Sequence, residues 1–402
     1  MYFKKLSFLL LYFFCACHSE TPVQPSTLLN ESIPDFQNDS FFCKNFSQKY
    51  RYQFKAKRYS HTNAALLSEA SFLTYAEEPI DFLRWLKIFS QKPGQVKGSY
   101  IEDPEHKTRV YLGWNIPANK ADEAFLIISF RGPNNHQNIL TDIELTQSST
   151  FIDRAGKAND TFLFGKQHSG ITKAYLSLRS TLLEAIKKIP DTYFSPQDNK
   201  KDIIRNKKKR KVFITGHSLG GALATLFAVD MGIQNNRDNP MFFNIAEEST
   251  VSESICSTIA PSYSSSMPFD SVYVFGSPRV GNPAFANCSS RLLQNKFFRV
   301  NYGSDAVSRV PNINYLHVGG RYYNYNGGVE IGAVEFRSFL SDETRQDGDL
   351  DIGEIVDELS LTLGTDILRS LSRKRDVLIQ DHLLYPIILR GYSDKSCLKQ
   401  QP

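Results

Sequence analysis

The chain has 402 residues, 41% of them hydrophobic and 22% charged, with a formal net charge of +5. This ordinary globular balance excludes a collagenous, a disordered or a polytopic membrane chain. The length admits two ordinary domains or one large domain with insertions.

Lys4 and Lys5 precede a short apolar run, Leu6 to Ala16, which gives way to polar residues. This is the order of an export leader over residues 1–17, too short to span a bilayer comfortably. Cys17, following Phe14, Cys15 and Ala16, is similar to the lipid-modified cysteine of bacterial lipoproteins. Release and anchoring through Cys17 therefore both stay open. Export also permits disulfides among Cys43, Cys256, Cys288 and Cys397, for which three pairings exist. No cysteine spacing resembles a zinc site.

Residues 18–60 are rich in Ser, Pro, Asn and Gln and read as an extension or tether. From Asn63, the stretch NAALLSEASFLTYAEE has helical apolar spacing and ends before Pro79. Thr108 to Ile116 alternates as a strand does, and Ala124 to Phe130 is a continuous apolar run suited to a strand buried on both faces. Ile171 to Ile189 then reads as an amphipathic helix, KVFITG as a strand, GALATLFAVDMG as a helix, and SVYVFG and FFRVNYG as strands. Such alternation predicts an α/β fold with a mostly parallel sheet and helices on both faces. Stretches near 190–211, 234–268 and 335–376 break the rhythm and read as surface insertions in one domain over residues 61–390, with 391–402 as a tail. The run from Lys207 to Lys211 lacks the interleaved aromatics or known fold that a nucleic-acid site would require. A solvated loop and attraction to anionic lipid are the two readings of it.

Gly216-His217-Ser218-Leu219-Gly220 fits G-x-S-x-G, with a predicted strand before it and a predicted helix after it. That context presents Ser218 as a nucleophile on a sharp turn at a helix N-terminus. There the Leu219 N–H is placed to donate to a developing oxyanion. A serine nucleophile needs an imidazole, and the imidazole needs a carboxylate. Asp305 follows FFRVNYG and would emerge at the carboxyl edge of the sheet. The histidines after it are His317, within an apparent strand YLHVGG, and His382, and spacing alone leaves both open.

GHSLGGALATL resembles the class 3 (fungal-type) lipase family of the α/β-hydrolase superfamily. Further segments agree with that family in order: NAALLSEASFLTY, ISFRGPNNHQNILTDIE, HSGITKAYLSLRSTLL, YVFGSPRVGNPAF, FRVNYGSDAVSRVP and YLHVGGRYY. The resemblance covers roughly residues 63–385 and implies an α/β-hydrolase fold and hydrolysis of lipid esters through an acyl-enzyme. It implies Ser218, Asp305 and His382 as catalytic residues, the last from the family's H-x-x-Y pattern, with His217 and His168 in supporting roles. Ala306 departs from the family's DPVP segment. No metal or cofactor is implied. The partner that the resemblance implies is a lipid ester substrate, and peripheral contact to a lipid surface is expected with it and contact to nucleic acid is not.

One departure bears on rate. The family carries Ser or Thr after Phe-Arg-Gly, donating a backbone N–H and a hydroxyl to the oxyanion. Here that position is Pro133, which has neither. Asn134 is the substitute donor beside Leu219, or else the enzyme is slow on ordinary acylglycerols. Asn138, Ile139, Leu140 and Ile143 match the lid stretch of the family, or an ordinary surface helix. Asp347, Asp349, Asp351 and Glu358 mimic calcium-loop spacing, but Ile352 stands where that loop needs glycine. A phospholipase on the same scaffold and a non-catalytic surface lipoprotein are the rival functions.

Overall fold

The computed structural model describes residues 58–75, 80–90, 96–117, 123–132, 165–189, 208–236, 267–302, 307–311 and 314–319. It also describes Tyr52, Asp305, Tyr385 and the short strand pieces 27–28, 147–148, 151–152, 158–159, 192–193, 322–326 and 329–333. One sheet organises these residues. Its nine strands are β1 (Thr27–Leu28), β2 (Val96–Asp103), β3 (Thr108–Asn115), β4 (Phe125–Arg131), β5 (Lys211–His217), β6 (Ser271–Phe275), β7 (Phe297–Tyr302), β8 (Tyr322–Asn326) and β9 (Val329–Ala333), and they lie side by side in chain order. β4 to β8 pair in parallel, whereas β1 to β4 pair antiparallel and β9 closes antiparallel on β8. β2 therefore points the same way as the parallel block, and β1, β3 and β9 run against it. The predicted strands at β3 to β7 are all present, within a residue or so of their expected bounds.

The sequential order decides where the helices go. Successive crossovers of one hand, always stepping the same way across a sheet, place their helices on a single face. α3 (Ser169–Lys187), α4 (Leu219–Asn236) and α5 (Pro283–Leu292) indeed pack together on one face, against Leu126, Ile128, Phe130, Ile214, Val272 and Val274. The other face, carrying Phe125, Ile127, Phe213 and Tyr273, is covered by α1 (His61–Leu73) and α2 (Ile80–Ser90), which precede the parallel block in the chain. β4 is buried along its whole length because its alternate side chains feed both layers.

α1 starts at Ser60, whose hydroxyl accepts from the Asn63 N–H, and it is buried on almost every side. Helices buried this way lose the clean polar stripe of a surface helix. Its backbone is stitched to the sheet by the Ser129 hydroxyl, donating to the Ala70 carbonyl at 3.1 Å, and by the Thr215 hydroxyl, donating to the Leu67 carbonyl at 3.1 Å. Trp85 of α2 donates from its indole to the buried Glu69 carboxylate of α1 at 2.8 Å, joining the two helices.

Some expectations changed. β2, α2 and α5 are elements that the sequence reading did not assign. His317 lies outside any strand of the sheet: Leu316 makes only an isolated bridge to Gly281, too short to continue a strand. Thr27 and Leu28, inside the stretch read as a tether, pair with Ser99 and Tyr100 of β2. Within the insertion near 190–211, Thr192–Tyr193 and Lys208–Lys209 form a small antiparallel ribbon. The leader, Cys17 and the acidic stretch 347–358 lie outside the described residues. Among the described residues no helix is long and apolar enough to cross a membrane.

The β2–β3 turn is anchored by one carboxylate. Asp103 Oδ1 accepts from the Glu105 N–H at 3.0 Å, while Oδ2 meets His106 Nδ1 at 2.6 Å and the Ser177 hydroxyl of α3. Burial would raise this carboxyl, but the bonds from Ser177 and His106 and the His106 charge outweigh it and hold Asp103 below the ordinary Asp range. A lowered folded value stabilises fully above the unfolded value of about 3.9 and fades as pH falls through the folded one. Asp103→Asn should therefore cost about 1–2 kcal/mol at neutral pH, and the deficit should shrink below about pH 4. Urea midpoints of the two proteins across pH check this. A deficit unchanged down to pH 2 would contradict it.

Candidate active site

β5 delivers its last residue, His217, to the carboxyl edge of the sheet, and α4 begins two residues later. The turn between them is Ser218, whose φ of 57° lies in the left-handed region that non-glycine residues seldom adopt. The glycines around it are required by contact. A Cβ on Gly216 would stand 2.3 Å from the Gly220 carbonyl oxygen, and one on Gly220 would stand 2.3 Å from the Phe130 carbonyl oxygen. Both obstacles are backbone, so no side-chain adjustment relieves them. The Ser218 N–H donates to the Phe275 carbonyl of β6 at 2.9 Å, and its own carbonyl accepts from the Gly221 N–H at 2.9 Å to start α4.

Ser218 is fully buried, and its hydroxyl makes no hydrogen bond among the described residues. It sits at the positive end of α4. Leu219 opens that helix, so its N–H has no acceptor in a preceding turn. β4 ends alongside: a Cβ on Gly132 would lie 2.8 Å from Leu219 Cβ and 3.0 Å from the Gly220 nitrogen. The chain thus enters Pro133 and Asn134 from a point already touching the elbow. Pro133, Asn134 and the lid candidates Asn138, Ile139, Leu140 and Ile143 themselves lie outside the described residues.

Asp305 follows β7, two strands over from β5, and is buried. Two strand spacings amount to about 10 Å, which leaves room for an imidazole between the Ser218 and Asp305 side chains. The carboxylate is held on both oxygens: Oδ1 accepts from the Val307 N–H at 2.9 Å, and Oδ2 from the Tyr385 hydroxyl at 2.6 Å. The same Tyr385 hydroxyl accepts from the Tyr302 N–H at 3.0 Å, pinning this residue to the end of β7. Further along the loop, the Ser308 hydroxyl donates to the Asp305 carbonyl at 2.8 Å.

His382 lies outside the described residues. Its rival, His317, is committed elsewhere. Burial, reinforced by Arg299 and Arg279, pushes its imidazole well below the usual range and keeps it neutral. Nε2 lies 2.7 Å from the Ser308 carbonyl, so it holds the proton and donates it there, bracing the Asp305 loop. His168 N-caps α3, its Nδ1 accepting from the Ile171 N–H. The His217 ring packs between Phe72 and Tyr385, with centroids 4.2 and 5.8 Å away. Both histidines are thus structural supports.

Tyr75, just past α1, is a site neighbour that sequence reasoning missed. Its hydroxyl donates to the His217 carbonyl at 3.0 Å and accepts from the Gly132 N–H at 3.4 Å. Burial pushes its phenol well above the ordinary tyrosine range, so it stays protonated. The only sequence signal was its place at the polar end of an apolar helix.

The basic run falls elsewhere. Lys211 opens β5 and Ser218 follows its far end, so they lie at opposite edges of the sheet, about 23 Å apart at 3.3 Å per residue. Arg210 is buried and donates to the Asn115 and Phe125 carbonyls, and Lys211 pairs with Asp270 at 2.8 Å. The headgroup of a phospholipid whose acyl ester reached Ser218 would be far from this run.

The family model for Lipase (class 3) matches residues 127–315, a stretch containing both Ser218 and Asp305. Residues 127–315 belong to the class 3 lipase family. Relatives of this class 3 lipase segment include phospholipase A1-II 1 of Oryza sativa subsp. indica, 29% identical over 44% of this chain and 37% of that protein. Triacylglycerol lipase OBL1 of Nicotiana tabacum is 27% identical over 61% of this chain and 40% of that protein. The secreted mono- and diacylglycerol lipase LIP4 of Malassezia restricta is 30% identical over 46% of each. The matches thus span well under two thirds of these relatives. The crystal structure of a lipase from Rhizopus microsporus var. chinensis overlaps with a TM-score of 0.45 at 20% identity, covering 66% of this chain and 76% of that one.

Gly220→Ala tests the elbow. Because backbone must move to admit the methyl, it should destabilise by about 3 kcal/mol, read as a fall in the urea midpoint. Wild-type stability in this variant would mean that α4 does not approach β4 as described.

Proposed function

We propose that this chain is an exported serine esterase that hydrolyses carboxylic ester bonds in lipids. The observation that carries the reading is the left-handed Ser218 at the N-terminus of α4, two strands over from a buried Asp305 that is clamped on both oxygens. A strained backbone at an isolated serine is retained where the strain serves chemistry. Tyr385 supports the choice of base: it bonds Asp305 and follows His382 by three residues, and a fully extended chain of that length reaches only about 11 Å.

In this mechanism the Ser218 hydroxyl attacks the ester carbonyl carbon as His382 takes its proton and Asp305 orients the imidazole. The negative charge on the carbonyl oxygen meets the Leu219 N–H, with Asn134 as second donor in place of Pro133. Collapse expels the alcohol, which receives the proton from His382 and leaves an acyl-Ser218. Water, deprotonated by His382, then releases the fatty acid and restores the serine. Asn138, Ile139, Leu140 and Ile143 form the lid in this reading.

Export is supported by the leader over residues 1–17 and by Cys288, which is disulfide-bonded, a state favoured outside the cytosol. Relatives named as secreted lipases agree with it. Neutral acylglycerols are the favoured substrates, because the basic run lies at the sheet edge away from Ser218.

Ser218→Ala should abolish hydrolysis of short-chain p-nitrophenyl esters and labelling by a fluorophosphonate probe, with an unchanged melting temperature. In a panel of triacylglycerol, phosphatidylcholine and phosphatidylglycerol, wild type should prefer triacylglycerol. Preference for phosphatidylglycerol would establish the phospholipase reading instead. A folded wild type that is inert to both esters and probe would leave only the non-catalytic lipoprotein.

A further inference from the structure

β4 and β5 are paired in register as far as Phe130 and Gly216, and beyond that point they separate. The next polar groups on the two strands, the Gly132 N–H and the His217 carbonyl, are bridged by the Tyr75 hydroxyl instead of bonding each other. One phenol thus continues the ladder by one rung and fixes how far the strands part. Gly132 leads directly into Pro133 and Asn134, and His217 leads directly into Ser218 and Leu219. The gap set by Tyr75 is the gap between the two chains that flank the oxyanion.

We propose that Tyr75 is a positioning residue for the oxyanion hole, holding the β4 exit and the elbow at the separation that catalysis needs. The inference rests on the serine esterase reading above. It matters more here than in a hole with a full donor set. Pro133 brings no N–H and no hydroxyl, so Leu219 and Asn134 must both be well aimed, and small misplacements of reacting groups are costly in rate. α1 transmits the position: it is bonded to β4 through Ser129 and to β5 through Thr215, so Tyr75 stands at the end of a helix already registered to both strands.

Tyr75→Phe keeps the ring and deletes both bonds. Hydrolysis of p-nitrophenyl butyrate should lose about 10- to 100-fold in kcat, with KM within about twofold. Fluorophosphonate labelling of Ser218 should slow in parallel. Tyr273→Phe is the control for simple loss of a buried tyrosine bond, since the Tyr273 hydroxyl accepts from the Ser60 N–H. It should lower stability comparably and leave kcat unchanged. A second variant places 3,5-difluorotyrosine at position 75. Its more acidic phenol cannot donate to His217 once ionised, so kcat should acquire a descending alkaline limb that wild type lacks. A Tyr75→Phe enzyme with wild-type kcat, a loss confined to KM, or a difluorotyrosine profile matching wild type overturns the inference while leaving the esterase intact. A wild type that neither turns over nor takes the probe overturns the esterase reading, and this inference with it.

Discussion

The approach of α4 to the end of β4 is the constraint on which the site depends. Gly220 presses against the Phe130 carbonyl at a distance that forbids any side chain, and Gly216 is confined in the same way by Gly220 itself. With glycine two residues away on either side, Ser218 takes the bend and adopts a left-handed conformation. Such a conformation costs on the order of 1–3 kcal/mol. The surroundings impose it: β4 and β5 are buried on both faces, and the Ser218 N–H is captured by β6. The serine is therefore held at the sheet edge, beside a helix N-terminus, by packing rather than by its own side chain.

The two faces of the sheet divide the work. α3, α4 and α5 form an apolar layer that fixes the parallel strands and aims α4 at the elbow. The opposite layer is apolar as well, yet side-chain hydroxyls join α1 and its C-terminal neighbour to β4 and β5 at successive points along their seam. Ser129 and Thr215 donate into α1, and Tyr75 reaches back to the strand ends. This second layer comes from residues before 127, outside the stretch matched to the class 3 lipase family. The Asp305 side of the site is finished from the other end of the chain by Tyr385.

The local parts of the site could be read directly from the order of residues. A strand of alternating or continuous apolar residues, a turn with glycine on both sides of a serine, and a helix-forming run after it are encoded within some two dozen neighbours, and β5, Ser218 and α4 stand where that pattern put them. β3, β4 and α3 were legible for the same reason, since burial on one or two faces leaves a periodic trace. β2 was harder to read: Lys97, Gly98 and Asp103 interrupt its alternation, and Asp103 is buried only because Ser177 and His106 satisfy it. α2 did carry a trace, with Phe82, Leu83, Trp85, Leu86 and Phe89 at helical spacing, and it went unassigned. His317 sat in a strand-like sequence, but its Nε2 and the Ser308 carbonyl form a loop brace instead.

The residue order thus carries the Ser218 turn and the alternating order of the parallel block, because backbone conformation and burial period are set by nearby residues. Tertiary structure alone decided the rest. It brought Tyr385 onto Asp305 across 80 positions and Tyr75 onto His217 across 142. It also sent the basic run to the edge of the sheet opposite Ser218. Hydrogen bonds between such distant residues have no local signature; they exist only once the strand order has fixed which ends of the sheet meet.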